Sequence, residues 1–175
     1  RTRFFLIGHL NDKHNLLKPI FQKNLSEKPM SIRDYLGDTL GLNVYYRHPR
    51  NYNRRGIFTI DEPSPTIRGV NRPIPKGYQL NTCDPVGVNL KKVRPLTTIE
   101  RSYLQTFPTD FKFSGTKTNL EQMIGNAVPV NLGTFIAKGI QEYIENGALK
   151  NTPNTPFDES LPFELPQRAL ARIPS

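Results

Sequence analysis

Long apolar runs are missing from this chain. No stretch approaches the roughly 18 residues that a membrane-crossing helix needs, so no such helix is expected. Cysteine is nearly absent, and the single Cys83 excludes an internal disulfide or a metal site built from several cysteines. Hydrophobic residues amount to 36%, against about 45–50% in ordinary globular chains even with glycine counted, so the core must be modest. Catalytic groupings are equally scarce. His9, His14 and His48 form no i, i+4 pair of the metal-binding kind. No serine occupies a nucleophile elbow, and no glycine-rich loop of the phosphate-cradling type is present. Cys83, followed by Asp84 and Pro85, has no recognisable base beside it and reads as an ordinary cysteine. These absences argue against a self-sufficient enzyme.

What the chain does have is positive charge, unevenly spread. Its 175 residues carry 24 Lys/Arg against 15 Asp/Glu, a formal net charge of +9. Residues 1–76 hold 14 basic and 6 acidic side chains, whereas residues 77–175 hold 10 and 9. A one-sided excess of this kind attracts polyanions, and each phosphate neutralised releases counterions. Between residues 44 and 76 the basic side chains are mostly arginine: Arg47, Arg50, Arg54, Arg55, Arg68 and Arg72, with Lys76. The planar guanidinium fork suits phosphates and guanine edges. Tyr45, Tyr46, Asn51, Tyr52 and Asn53 are interleaved, which strengthens a nucleic-acid reading over a membrane-surface one. An amphipathic basic helix, the membrane-binding pattern, is broken here by Pro49 and Gly56.

The 16 prolines, about twice the usual share, predict much irregular backbone. Phe4-Phe5-Leu6-Ile7, closed by Gly8, reads as a strand buried on both faces. Residues 10–30 read as loop. Ser31 to Asp34 opens a short capped helix that stops near Gly37. Ile57–Ile60 and Pro65–Arg68 read as short strands split by a turn. Gly69, Pro73, Pro75 and Gly77 then hold a stiff loop bearing Arg68, Asn71, Arg72 and Lys76. Thr97-Thr98-Ile99-Glu100 is a capping box, and its helix should end before Phe107-Pro108. Leu132, Phe135, Ile136, Ile140, Tyr143 and Ile144 recur at helical spacing, predicting a core-facing helix stopped at Gly147. Just before it, Gly125, Asn126 and Ala127 are small or polar enough to let a ligand approach the backbone. Five prolines between residues 151 and 175 predict a tail.

Three stretches, in order, resemble the C-terminal part of DNA (cytosine-5) methyltransferases. Arg1-Thr-Arg3-Phe-Phe-Leu-Ile-Gly8 is similar to the family's eighth motif. Arg94-Pro-Leu96-Thr97-Thr-Ile-Glu100 through Leu104-Gln105-Thr-Phe107-Pro108 resembles its ninth, with Ser102-Tyr103 in place of the usual Ala-Arg. Ile124-Gly125-Asn126-Ala127-Val128-Pro129 resembles its tenth, preceded by Glu121-Gln122 where an aromatic-plus-Lys pair is common. Between the eighth and ninth, Thr66-Ile67 matches the Thr-aliphatic pair of the variable target-recognition region. The resemblance spans essentially residues 1–145. The family's cofactor-binding glycine loop, Pro-Cys nucleophile and Glu-Asn-Val segment precede the eighth motif and have no counterpart in these residues. Cys83 lies in the recognition region and cannot take the nucleophile's role.

The resemblance implies an α/β fold: the C-terminal portion of a Rossmann-like S-adenosylmethionine-dependent domain with a small, irregular α+β target-recognition domain inserted. It places the domain's terminal strand at 1–9, target recognition at 10–93, returning helices at 94–150 and the proline-rich tail at 151–175. It implies a double-stranded DNA partner whose cytosine is flipped out of the stack, methyl transfer from S-adenosylmethionine to C5, and no metal. Arg3 would face the flipped base, supported by Arg1. Asn126, Ala127 and Val128 would close one side of the cofactor pocket. Thr66, Ile67, Arg68, Asn71, Arg72 and Lys76 are the expected base-contacting set; Arg47, Arg50, Arg54 and Arg55 are the expected phosphate contacts. Arg94 and Glu100 are read as structural. A bacterial restriction-modification setting, in the cytoplasm, is implied. The leading expectation is the C-terminal half of such an enzyme, inactive without its N-terminal catalytic half and open to artefactual dimers through uncovered apolar faces. A separate DNA-binding subunit of a split methyltransferase, and a basic domain without sequence preference, are the alternatives.

Overall fold

The structure is a computed structural model in which residues 4–8, 17–51 and 54–148 are described. Its organising element is a two-stranded antiparallel ribbon, β1 (Val44–Tyr46) and β2 (Ile57–Thr59), in which Tyr45 lies opposite Phe58 and Tyr46 opposite Ile57. So short a ribbon is not stable by itself. It is held because side chains alternate between faces and both faces are covered. Tyr45 joins Ile32, Leu40, Ile60 and Leu96 on one face, while Tyr46 and Ile57 join Val93 on the other. Tyr45 and Tyr46, two of the three tyrosines interleaved among the arginines, are therefore core residues, 2% and 1% exposed, and offer no open ring face to a base; Tyr52 lies outside the described residues.

Asp84 finishes the ribbon's edge. Buried, it accepts from the amides of Gly56 (3.1 Å) and Ile57 (2.9 Å), from the Asn81 amide and from the Tyr78 hydroxyl. Burial alone would push its carboxyl up, but the Ile57 and Asn81 amides lead the donors that bring it below the ordinary carboxylate value.

The helices follow local signals. α2 (Ile32–Leu36) and α3 (Thr98–Leu104) both begin in complete capping boxes, Ser31 with Asp34 and Thr97 with Glu100. Arg94 grips Glu100 with both arms of its guanidinium, each at 2.7 Å, locking the approach to α3. Before it, Leu90–Lys92 forms a 3₁₀ turn. α4 (Lys117–Asn126) packs against α3. α5 (Val130–Tyr143) carries the predicted apolar stripe up to Tyr143 and continues in a π-helical turn at Ile144–Ala148, which runs through Gly147, the expected stop. Its first turn has no side-chain cap from Pro129. Thr106, in the left-handed region at φ 58°, instead accepts from the Asn131 amide through Oγ1 at 2.8 Å.

Three expectations fail. Residues 4–8 form no strand, and Phe4 and Leu6 are exposed; a run of strand formers needs a neighbouring strand, and none among the described residues pairs with it. Residues 17–23, read as loop, form helix α1 (Leu17–Lys23), which packs on α5 with Phe21 against Phe135 at 5.5 Å. Residues 65–68 are not a strand; the Thr66 and Arg68 carbonyls are taken by arginine side chains and not by a ladder. The tail at 151–175 lies outside the described residues.

Candidate nucleic-acid interface

An open cleft of about 550 Å³ is lined by Arg47, Arg50, Arg54, Thr66, Arg68, Gly69, Gly125 and Asn126. Four arginines expected to meet DNA thus share one cavity with the asparagine expected at the cofactor. The elements explain the convergence. Arg47 and Arg50 leave the end of β1, Arg54 lies just before β2, Thr66–Gly69 follow β2, and Asn126 ends α4.

The guanidiniums crowd one another. Burial pulls Arg47 and Arg68 below the usual arginine value; Arg68 and Arg50 push Arg47 further down, and Arg50 does the same to Arg68. Burial, then Arg72 and Arg68, lower His48 as well, which keeps its imidazole neutral at physiological pH. Repulsion of this kind raises the free energy of the empty cleft, and a bound anion relieves it. Arg50 and Arg54 are exposed and enter no ion pair among the described residues.

The loop from Thr66 to Arg72 is held from behind. The Thr66 carbonyl accepts from Arg47 Nε (3.1 Å) and Nη2 (2.9 Å). The Arg68 carbonyl accepts from Arg101, and the Arg68 guanidinium donates to the His48 carbonyl. Asn71 donates to the Leu96 carbonyl at 2.7 Å and to Glu121 at 3.3 Å. Gly125 closes the arrangement. A Cβ there would sit 2.2 Å from Arg68 C and Gly69 N, so only glycine lets α4 reach the loop backbone. The close approach that its sequence context reserved for a ligand is made by the chain itself.

Of the expected base-contacting side chains, Arg72 and Lys76 are exposed, Thr66, Ile67 and Arg68 are half-buried, and Asn71 is committed to the fold as just described. Arg55 departs most from expectation. Its guanidinium pairs with Glu62, donates to the Ile57 carbonyl at 2.7 Å and lies 4.4 Å over the Phe58 ring. It is drawn inward because Glu62 and Phe58 offer a pairing and a stacking surface close by. Arg1 and Arg3 lie outside the described residues.

The segment expected at the cofactor is ordered by a residue that the motif match quoted without a role. Gln105, buried, donates through Nε2 to the Ile124 carbonyl (2.6 Å) and the Ala127 carbonyl (3.2 Å), while its own carbonyl accepts from Val130. Asn126 and Val128 stay exposed and Ala127 half-buried. An exposed amide beside an exposed isopropyl group fits a ligand with both polar and apolar parts. No group of three or more metal-ligating side chains occurs among the described residues.

Arg101 and Glu121, each 4% exposed, form an ion pair between α3 and α4. Neither was singled out as a site. In the sequence Glu121 stands out only as a departure before the tenth motif and Arg101, 20 residues earlier, not at all, with nothing to say that they meet.

Comparison with known proteins gives one family. A sequence model of C-5 cytosine-specific DNA methylases matches residues 1–142. Type II methyltransferase M.HindV of Haemophilus influenzae is 74% identical over 140 residues, 80% of this chain and 46% of that protein. Type II methyltransferase M.HgiDI of Herpetosiphon aurantiacus is 54% identical over 144 residues, 82% of this chain and 46% of that protein. Type II methyltransferase M.MthTI of Methanothermobacter thermautotrophicus is 30% identical across 83% of the chain and 52% of its own length. The chain thus spans about half the length of these relatives. No solved structure matches it.

Proposed function

The chain belongs to the C-5 cytosine-specific DNA methylase family, and from that premise we propose that it supplies target recognition and one wall of the cofactor pocket in a DNA cytosine-5 methyltransferase of a restriction-modification system. The observation that carries the reading is the cleft in which Arg47, Arg50, Arg54 and Arg68 adjoin Asn126. Duplex DNA provides closely spaced phosphates that such a cleft neutralises. Arg50 and Arg54 are exposed and take phosphates; Arg72 and Lys76, on the proline-pinned loop, take base edges. Arg47 and Arg68 shape the cleft through the Thr66 and His48 carbonyls while adding to its potential.

S-adenosylmethionine, when bound, supplies the methyl group that ends on C5 of cytosine. Asn126 and Val128 would hold one side of it through amide and apolar contact, and Gln105 keeps the backbone between them in place. Arg1 and Arg3 are proposed to support and contact the flipped base.

The direct test is labelled-methyl incorporation into duplex DNA by the full protein that carries this chain, with nucleoside analysis to locate the methyl. Label at cytosine C5 supports the reading, and label elsewhere or nowhere overturns it. Within that protein, Arg72→Ala should relax target choice with little change in salt dependence, and Arg54→Ala the reverse. Equal effects from both would undo the division between base and phosphate contacts.

A further inference from the structure

The ion pair between Arg101 and Glu121 calls for an explanation that docking α3 on α4 does not provide. Removing two charges from water is costly, and apolar residues of similar size join two helices at least as well. What apolar residues cannot do is present fixed polar atoms to a third element. Arg101 donates to the Arg68 carbonyl, and Glu121 accepts from the Asn71 side chain. The two ends of the segment from Arg68 to Asn71, which delivers Arg72, are therefore both tied to this pair. Glu121 also accepts from Thr98 at 2.7 Å, a bond that involves no loop residue. Burial, with repulsion from Arg68 and Arg47, pulls the Arg101 guanidinium down to about 10, so it remains charged at neutral pH and needs its carboxylate.

We propose that the Arg101–Glu121 pair is a positioning device that sets which DNA sequence the 66–72 loop accepts. The proposal rests on the reading of that loop as the base-contacting element. A guanidinium fork discriminates between base edges only when both its hydrogen bonds are aligned. Releasing the Arg68 carbonyl, and leaving Asn71 held by the Leu96 carbonyl alone, lets the loop shift its register, and the discrimination falls while the phosphate contacts persist.

The test uses the full protein and duplexes selected by it from a randomised library, with scrambled duplexes of equal length as reference. Glu121→Gln keeps the side-chain shape but removes the charge that holds Arg101. Its ratio of selected to scrambled affinity should fall about tenfold, the size expected for one misaligned bidentate contact, with an unchanged salt slope. Arg101→Lys, which keeps the charge but cannot fork between Glu121 and the Arg68 carbonyl, should behave alike. Thr98→Val removes one bond to Glu121 at the same helix junction but leaves the bonds to the Arg68 carbonyl and Asn71 in place, and should lower the melting temperature while keeping the ratio. A ratio preserved within about twofold in both pair variants overturns the proposal, as does an equal loss in Thr98→Val, or failure of both pair variants to fold. A wild-type protein that prefers no duplex overturns the recognition reading itself, and this proposal with it.

Discussion

Gly125→Ala is the substitution whose consequence follows most directly from the geometry. The added methyl would stand 2.2 Å from Arg68 C and Gly69 N and 2.6 Å from the Arg68 carbonyl oxygen, against an ordinary contact of 3.4 Å or more. The obstacle is backbone, and it is held by Arg101 and Arg47, so α4 and the loop must separate by about 1 Å. Overpacking of this kind costs about 1–3 kcal/mol. In a protein of this size each kcal/mol moves the melting point by about 2–4 °C, so a loss of roughly 2–12 °C is expected. Duplex affinity should fall as well, because Gly69 and Asn126 line the same cleft. Gly133→Ala is the matched control. It lies in α5 with nothing within 4 Å of the new methyl, and should raise stability by about 0.5–1 kcal/mol. Differential scanning calorimetry of the two variants, with duplex binding by fluorescence anisotropy, checks both. Equal melting points for Gly125→Ala and the parent would refute the close approach of α4 to the loop.

Acid should weaken the fold through carboxylates held below their ordinary values. Burial opposes ionisation of Asp84, Glu62 and Glu100, but hydrogen bonds from Ile57, Arg55 and Arg94 respectively lead the groups that prevail. Their stabilisation is present above the unfolded carboxylate value of about 4 and is lost as pH falls through the lower folded values. Urea midpoints should therefore drop between about pH 5 and pH 2, and Asp84→Asn should flatten part of that drop; an identical pH profile for the variant would count against it. Thr106→Gly should be nearly neutral, since relief of about 1–2 kcal/mol of left-handed strain offsets loss of the bond to Asn131, worth about 1 kcal/mol. Thr106→Val keeps the strain and loses the bond, and should melt lower; the opposite order would refute this account of α5's first turn. Arg55→Ala should cost about 1–2 kcal/mol through Glu62 and Phe58 yet leave the salt slope of DNA binding intact. A reduced slope would return Arg55 to the phosphate contacts.

Short-range features were legible in the sequence and long-range ones were not. Both capping boxes are i, i+3 relations, and the α5 stripe repeats every turn, so local chemistry determines them. α1 was hidden because Pro19 reads as a breaker, although in a first turn its missing N–H falls among donors that have no intrahelical partner anyway. Its stability comes from Phe21 resting on Phe135 and Gly139, more than a hundred residues away. Phe4 to Ile7 has strand composition, but composition cannot supply a pairing edge. In the candidate site the charge excess marked the cleft, because every arginine that lines it lies within residues 44–76. The sequence did not separate Arg54, exposed in that cleft, from Arg55, whose neighbours Glu62 and Phe58 reach it only after the ribbon folds. Nor did it reveal that Gly125 accommodates another stretch of backbone.

The central claim is that the arginine cleft binds DNA phosphates. The equilibrium constant of the full protein for a duplex, measured against salt concentration with and without Arg50→Ala and Arg54→Ala together, tests it most directly. Each phosphate contact contributes about 0.9 to the slope of log K against log salt, so the double variant should lose nearly two from that slope. A slope unchanged by the double substitution, or a parent protein that ignores duplex DNA at low salt, would contradict the claim.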